Sequence, residues 1–304
     1  MSDSHDADCF ADHASFQTVE VVENVRLATD TWRIRFRVPE MARQFVPGQF
    51  LMMRLAGYDD PLLGRPFALY DTVVADPPSL GTSSDPAPSP TDIDVVYLVM
   101  GKMTTRLARF RPGDKLDIWG PLGNGFPAPA ADDLILVGGG IGQTPFLAYA
   151  REALRRRKYG ESARQQSLAR RVTLCYGARR ADYLAGVADF EQLGVDVRIS
   201  TDDGSAGHHG FVTDLVRHVL AQGGDSPSAS RQIVCCGPWR MMQAVAEIAR
   251  AQKVPCWASL ETPMACGIGI CFSCVARIRD AAGNWDYRRT CVEGPVFDAE
   301  RVVW

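Results

Sequence analysis

This 304-residue chain is poor in three things, and each scarcity removes a class of function. It has no apolar run near the roughly 20 residues of a membrane-spanning helix, so no membrane partner is expected. It has no basic excess: the net charge is -3, which gives a nucleic-acid backbone nothing to hold. The opening stretch "MSDSHDADCFADHAS" offers neither a basic nor an apolar leader segment, so residues 1–15 read as a polar tail and the expected compartment is cytoplasmic. What remains, 46% hydrophobic and 23% charged, is an ordinary globular composition long enough for two cores and an appendage. Nine cysteines in a reducing compartment point to metal or redox chemistry rather than to disulfides.

Residues 16–126 are dense in short β-type runs, such as "TWRIRFRVP", "GQFLMMRLA" and "DIDVVYLVM", broken by "VPG" and "RPGD" turns. Strands without long intervening helices predict a closed antiparallel barrel. The Pro/Ser-rich stretch 76–91 reads as a surface insertion within it. From residue 127 to 258 strands alternate with helices ("DDLILVGGGIGQTPFLAYAREALRRR", "RVTLCYGARR", "RQIVCCGPWRMMQAVAEIARAQ"), which predicts a parallel sheet of about five strands. Residues 259–304 are too few for a core of their own and need another source of stability.

Within the second region "LVGGGIGQTP" places Gly138, Gly139, Gly140, Ile141 and Gly142 between a strand and a helix, where bare backbone can approach a diphosphate. Cys236, Gly237 and Pro238 repeat that arrangement further along the sheet. A tight strand–helix turn needs glycine for packing as well, so each turn alone is a weak signal; two in one parallel sheet favour a dinucleotide. In the barrel, an arginine beside a proline in "GRPFALY" and the helix-opening pair Thr104 and Thr105 are candidate phosphate contacts.

Together these motifs, with "GDKLDIWGPLGNGF", resemble the ferredoxin–NADP reductase superfamily over nearly the whole chain after residue 15. The resemblance implies an FAD-binding antiparallel β-barrel followed by a Rossmann-like parallel-sheet NAD domain. It places Arg65, Pro66, Phe67, Ala68, Tyr97, Leu98, Val99, Thr104 and Thr105 against FAD. Gly138, Gly139, Gly140, Ile141, Gly142, Cys236, Gly237 and Pro238 then face the nicotinamide dinucleotide. Ala68 departs from the pattern, which has serine or threonine there.

Cys266, Cys271 and Cys274 follow the C-x4-C-x2-C spacing of a plant-type [2Fe–2S] cluster, and Cys291 supplies a fourth thiolate. The residues between Cys274 and Cys291 read as a hairpin turning at Gly283 and Asn284, which returns Cys291 to the other three. Gly267 and Gly269 are expected to bend the loop so that N–H groups meet sulfur. A zinc site would favour two C-x2-C knuckles, and there is one. Cys9, Cys175, Cys235 and Cys256 read as a tail residue and small buried hydrophobes, and Trp304 as a packing residue.

Barrel, dinucleotide domain and a small C-terminal [2Fe–2S] lobe, in that order, are similar to the electron-transfer subunits of class 1B dihydroorotate dehydrogenases. "ETPMACGIGICFSCVARI" and "RTCVEGPVFDAERVVW" carry that likeness. It implies an FMN-containing catalytic partner, a heterotetramer of two plus two chains, electron flow through [2Fe–2S] and FAD to NAD+, and a place in pyrimidine synthesis. No substrate-oxidising site is expected in this chain. Alternatives stay open at this point: another electron-transfer partner, or a redox-sensing scaffold with degenerate nucleotide sites. NAD against NADP is also open, because Arg179 and Arg180 follow a strand and are placed to meet a 2'-phosphate.

Overall fold

The computed structural model describes residues 13–74, 89–161, 169–222 and 229–304. Of the expected tail and insertion, only residues 13–15 and 89–91 fall within it. The first unit is built from β1 (Ser15–Ala28), β2 (Thr31–Arg37), β3 (Phe50–Leu55), β4 (Arg65–Ala68), β5 (Asp71–Val73), β6 (Asp92–Leu98) and β7 (Lys115–Leu122), with the short helices α1 (Pro39–Gln44) and α2 (Lys102–Leu107). The strands pair antiparallel in the order β4-β3-β7-β1-β2-β6-β5. The two edge strands β4 and β5 are separated in the chain by Leu69 and Tyr70 alone, so the sheet must roll until its edges meet. Alternation explains the closure: Ile34 and Phe36 of β2 point inward, while Arg35 and Arg37 point outward and pair across the ladder with Asp94 and Asp92 at 2.7 and 3.3 Å.

The second sheet comprises β8 (Asp133–Gly139), β9 (Arg171–Ala178), β10 (Asp196–Thr201), β11 (His208–His209), β12 (Arg231–Cys236) and β13 (Cys256–Ser259), all parallel. Its helices are α3 (Phe146–Ala153), α4 (Val187–Glu191), α5 (Val212–Ala221) and α6 (Trp239–Ala251). A hairpin of β14 (Val275–Arg279) and β15 (Trp285–Arg289) follows, and then β16 (Val296–Asp298) returns to add an antiparallel strand to β13. The order β11-β10-β9-β8-β12-β13-β16 thus ends in a strand from the C-terminal segment, an addition that helix–strand alternation gave no sign of.

The chain leaves β8 in one direction for β9, β10 and β11, then crosses back to place β12 on the other side of β8. The crevice between the carboxyl ends of β8 and β12 is therefore the topological switch point, where ligands of parallel sheets bind. Polar contacts fix this crevice against the barrel. The Asp71 carboxylate accepts a hydrogen bond from Tyr159 at 2.6 Å and pairs with Arg151 at 3.1 Å, while the Tyr70 hydroxyl donates to Asp189 at 2.5 Å. Among the described residues no helix is long and apolar enough to cross a membrane.

Candidate functional site

At the switch point the two glycine turns stand back to back. A Cβ on Gly142 would lie 2.3 Å from the Cys236 carbonyl oxygen; one on Gly138 would meet Gln143 at 2.9 Å, and one on Gly139 would meet Met241 at 2.5 Å. These three glycines are needed so that the turns can pack. Gly140 differs, with φ +55° and nothing within 4 Å, and presents bare backbone outward. Gly237 and Pro238 lead into the first turn of α6, whose free N–H groups face the same crevice end. A 3-10 turn over Gly140–Gln143 intervenes before α3.

Where these turns face the barrel lies a cleft of about 580 Å³. Arg65, Pro66, Phe67, Ala68, Tyr97, Leu98 and Thr104 form its barrel wall; Ile141, Thr144, Pro145 and Cys236 form the opposite one. Val99 packs against the barrel core and Thr105 is exposed on α2, so both lie outside the lining. The Phe67 and Tyr97 rings meet edge to face at 6.2 Å, and the Tyr97 hydroxyl donates to Asn24 at 3.1 Å. Burial raises the pKa of that hydroxyl. Thr104 Oγ1 accepts from the N–H groups of Met100 and Gly101 at 3.0 and 3.2 Å, so it shapes the turn before α2. The backbone N–H groups that start α2 remain for an anion.

A third wall, from Ser259 to Met264, was not anticipated. Its carboxylate, Glu261, opens onto the cleft yet is ringed by protein, and that desolvation raises its pKa. Across from it the Cys236 thiol is held protonated by burial and by the Glu261 charge, against an opposing hydrogen bond with Ser259. One signal was present: Glu261 is the sole charged residue between Lys253 and Arg277. Phe50, Gly48 and Pro295 also line the cleft, brought in by sheet register and by the return of the chain.

The four cysteines singled out by their spacing lie beyond this wall as two pairs. Cys274 and Cys291 are buried with their sulfurs 3.1 Å apart; Cys271 and Cys266 are linked by hydrogen bonding nearer the surface. Among the described residues no three metal-binding side chains meet at one point. The thiols stand as two pairs, four sulfur donors in all, which fits a [2Fe–2S] cluster with two ligands for each iron. Both loop glycines have the positive φ that the bend needs, +76° at Gly267 and +82° at Gly269, and a Cβ would strike Met52 at 2.5 Å or Val292 at 2.6 Å. The Gly269 backbone lies close enough to the Cys291 sulfur to favour its thiolate, against the neighbouring Cys274 thiol and burial, which raise its pKa. Trp119 of the barrel clamps the loop by donating its indole N–H to the Cys266 carbonyl at 2.8 Å. Of the other cysteines, Cys175, Cys235 and Cys256 are buried, and Cys9 lies outside the described residues. Trp304 packs edge to face on Trp239 at 5.0 Å.

Comparison with known proteins agrees with each part. An oxidoreductase FAD-binding domain matches residues 18–126 and an oxidoreductase NAD-binding domain residues 136–247. The iron–sulfur cluster binding domain of dihydroorotate dehydrogenase B matches residues 261–303. The chain is 33% identical to the dihydroorotate dehydrogenase B (NAD(+)) electron transfer subunit of Desulforamulus reducens over 91% of its length and 94% of that protein's. The corresponding subunit of Caldanaerobacter subterraneus is 32% identical over 93% and 97%. Among solved structures, that of an NADH-dependent reduced ferredoxin–NADP oxidoreductase superposes with TM-score 0.73 at 28% identity, covering 94% of this chain and 90% of the other. Phthalate dioxygenase reductase shares the fold, at TM-score 0.57 and 18% identity over 91% and 94%. A cleft for a flavin, a switch point for a dinucleotide and paired thiols beside both, matched along almost all of their length, place this chain in the family of dihydroorotate dehydrogenase B electron transfer subunits.

Proposed function

We propose that this chain passes electrons from the FMN of a dihydroorotate-oxidising catalytic subunit, by way of a [2Fe–2S] cluster and FAD, to NAD+ in pyrimidine biosynthesis, within a cytoplasmic heterotetramer of two plus two chains. The flavin links one-electron cluster chemistry to two-electron nicotinamide chemistry, which is why FAD belongs between the other two. One observation carries the reading: Phe50 and Met264 line the cleft and also pack with Cys274 and Cys291. The same two side chains therefore join the packing around the thiols to the flavin wall.

The residues divide the work. Cys266, Cys271, Cys274 and Cys291 hold the cluster, the Gly269 backbone favouring the thiolate of Cys291. Phe67 and Tyr97 offer the isoalloxazine an apolar wall, and the N–H groups of Lys102 and Met103, which start α2, receive the FAD diphosphate. Gly140 and the start of α6 receive the dinucleotide diphosphate, with the nicotinamide at Cys236 and Glu261. The adenosine end then extends the other way over β9 and β10. There Arg180 is held by Asp182 at 2.7 Å, and Asp202 and Asp203 follow β10, a setting that favours a ribose diol over a 2'-phosphate.

Ile270 (74% exposed) and Phe272 (63% exposed) crown the cluster loop, and the hairpin that follows it exposes Trp285 and Tyr287, stacked edge to face. That is the apolar surface a catalytic subunit would cover. Co-expression with such a subunit, followed by an assay of dihydroorotate-driven NAD+ reduction, tests the proposal. The likeness to the ferredoxin–NADP oxidoreductase structure favours a second reading, in which the partner differs. NADH-driven flavin reduction without dihydroorotate activity in the copurified complex would select it.

A further inference from the structure

Trp119 stands where the barrel meets the cluster loop. At this point β7 is paired on both sides, to β1 through Phe16 and to β3 through Met52, so its backbone is fixed. Leu116 and Ile118 enter the barrel core, whereas Trp119 faces outward and packs on the apolar set around the thiols. Its indole is held from two sides. The Phe16 ring stacks on it at 6.2 Å and 29°. Gly64, next to Arg65 of the flavin wall, lies so close that a Cβ there would stand 2.5 Å from the indole ring. An indole N–H can only donate, and this one donates to the Cys266 carbonyl at 2.8 Å.

The peptide plane carries that contact further. In a trans peptide the carbonyl and the next N–H point in opposite directions. With the Cys266 carbonyl turned to the barrel, the Gly267 N–H is turned away from it. The Cys266 backbone also lies beside the Cys271 sulfur, so this peptide unit borders two of the four thiols. Gly267 is itself pressed on the barrel, where a Cβ would lie 2.5 Å from Met52 and 3.0 Å from Leu122. We propose that Trp119 is a positioning residue that sets the reduction potential of the cluster, by holding the Cys266 carbonyl on the barrel side and so aiming the Gly267 N–H at cluster sulfur. This rests on the cluster reading of the four cysteines. An N–H directed at sulfur stabilises the reduced, more negative form, and a carbonyl in its place does the reverse. Without the indole donor the peptide is free to turn, and the cluster becomes harder to reduce.

The test is an anaerobic redox titration of the loaded protein, the reduced cluster being read by electron paramagnetic resonance, in wild type, Trp119→Phe and Phe16→Ala. Trp119→Phe keeps an aromatic ring and loses the donor; Phe16→Ala removes the exposed stacking ring and keeps the donor. At the midpoint poise of wild type, Trp119→Phe is expected to lower the ratio of reduced to oxidised cluster about threefold to tenfold, with iron and FAD content unchanged. Phe16→Ala is expected to match wild type. An unchanged ratio in Trp119→Phe, or an equal fall in both variants, overturns the proposal. So does loss of iron from Trp119→Phe while FAD is retained, which makes the indole a clamp on the loop and not a tuner of the cluster. If wild type itself holds no iron, the cluster reading fails and the proposal with it.

Discussion

The flavin cleft and the cluster loop share the side chains of Phe50 and Met264, yet they are stabilised in different ways. The cleft is a by-product of two large cores: its walls are strand ends and turns whose positions the barrel and the parallel sheet have already fixed. Around the thiols the buried apolar set is small: Phe50, Met52, Leu122 and Val292, half of it borrowed from the barrel strand β3. Ile268 and residues 270–273 are exposed, and the loop is bent by two buried glycines with positive φ. A site set in deep cores survives loss of its ligand; one with so little apolar burial draws its order from the metal–sulfur bonds themselves.

The strongest test of that contrast is Cys291→Ser. We expect it to abolish the cluster, to loosen the loop, and to cut dihydroorotate-driven NAD+ reduction by at least about a hundredfold, while NADH still bleaches the flavin. Iron analysis and anaerobic absorbance spectra measure both halves; equal loss of flavin reduction would mean the two regions are one unit. Gly142→Val presses a side chain into the Cys236 carbonyl and should act in reverse. NADH oxidation is expected to fall about tenfold or more and stability by about 1–3 kcal/mol, with the cluster spectrum intact.

Phe50→Leu probes the shared wall. The swap should cost less than about 1.5 kcal/mol, because it keeps the site apolar, and slow transfer between cluster and flavin a few-fold in stopped-flow traces. Smallest is the effect of Glu261→Gln, read as pH dependence. Since burial raises the folded-state pKa of Glu261, its contribution to stability is full below the ordinary carboxylate range and is lost as pH rises through the raised value. The variant should therefore melt higher than wild type near neutral pH, and the two should converge in acid; a parallel offset at every pH would assign the effect to packing.

How far the sequence was readable follows the same division. Cys266, Cys271, Cys274 and Cys291 were legible because cluster chemistry imposes a spacing along the chain. Gly140 and Cys236 stood out because glycine turns at the carboxyl ends of parallel strands mark a switch point, and the sheet order puts them there. Glu261, Phe50 and Gly48 were not, since each reaches the cleft through folding of distant segments, and no local pattern encodes that. Thr104 was identified by residue type but spends its hydroxyl acceptor on its own turn. Arg180, open to a 2'-phosphate on the sequence alone, is engaged by Asp182. The expected five-stranded parallel sheet became six strands with β16 added, a pairing between residues about forty positions apart.

That last strand bears on how the protein is made. Until residues 296–298 emerge from the ribosome, β13 keeps a bare hydrogen-bonding edge, although every other strand of its sheet is already synthesised. The segment that carries Cys291 is thus also the one that covers the last open edge of the dinucleotide sheet.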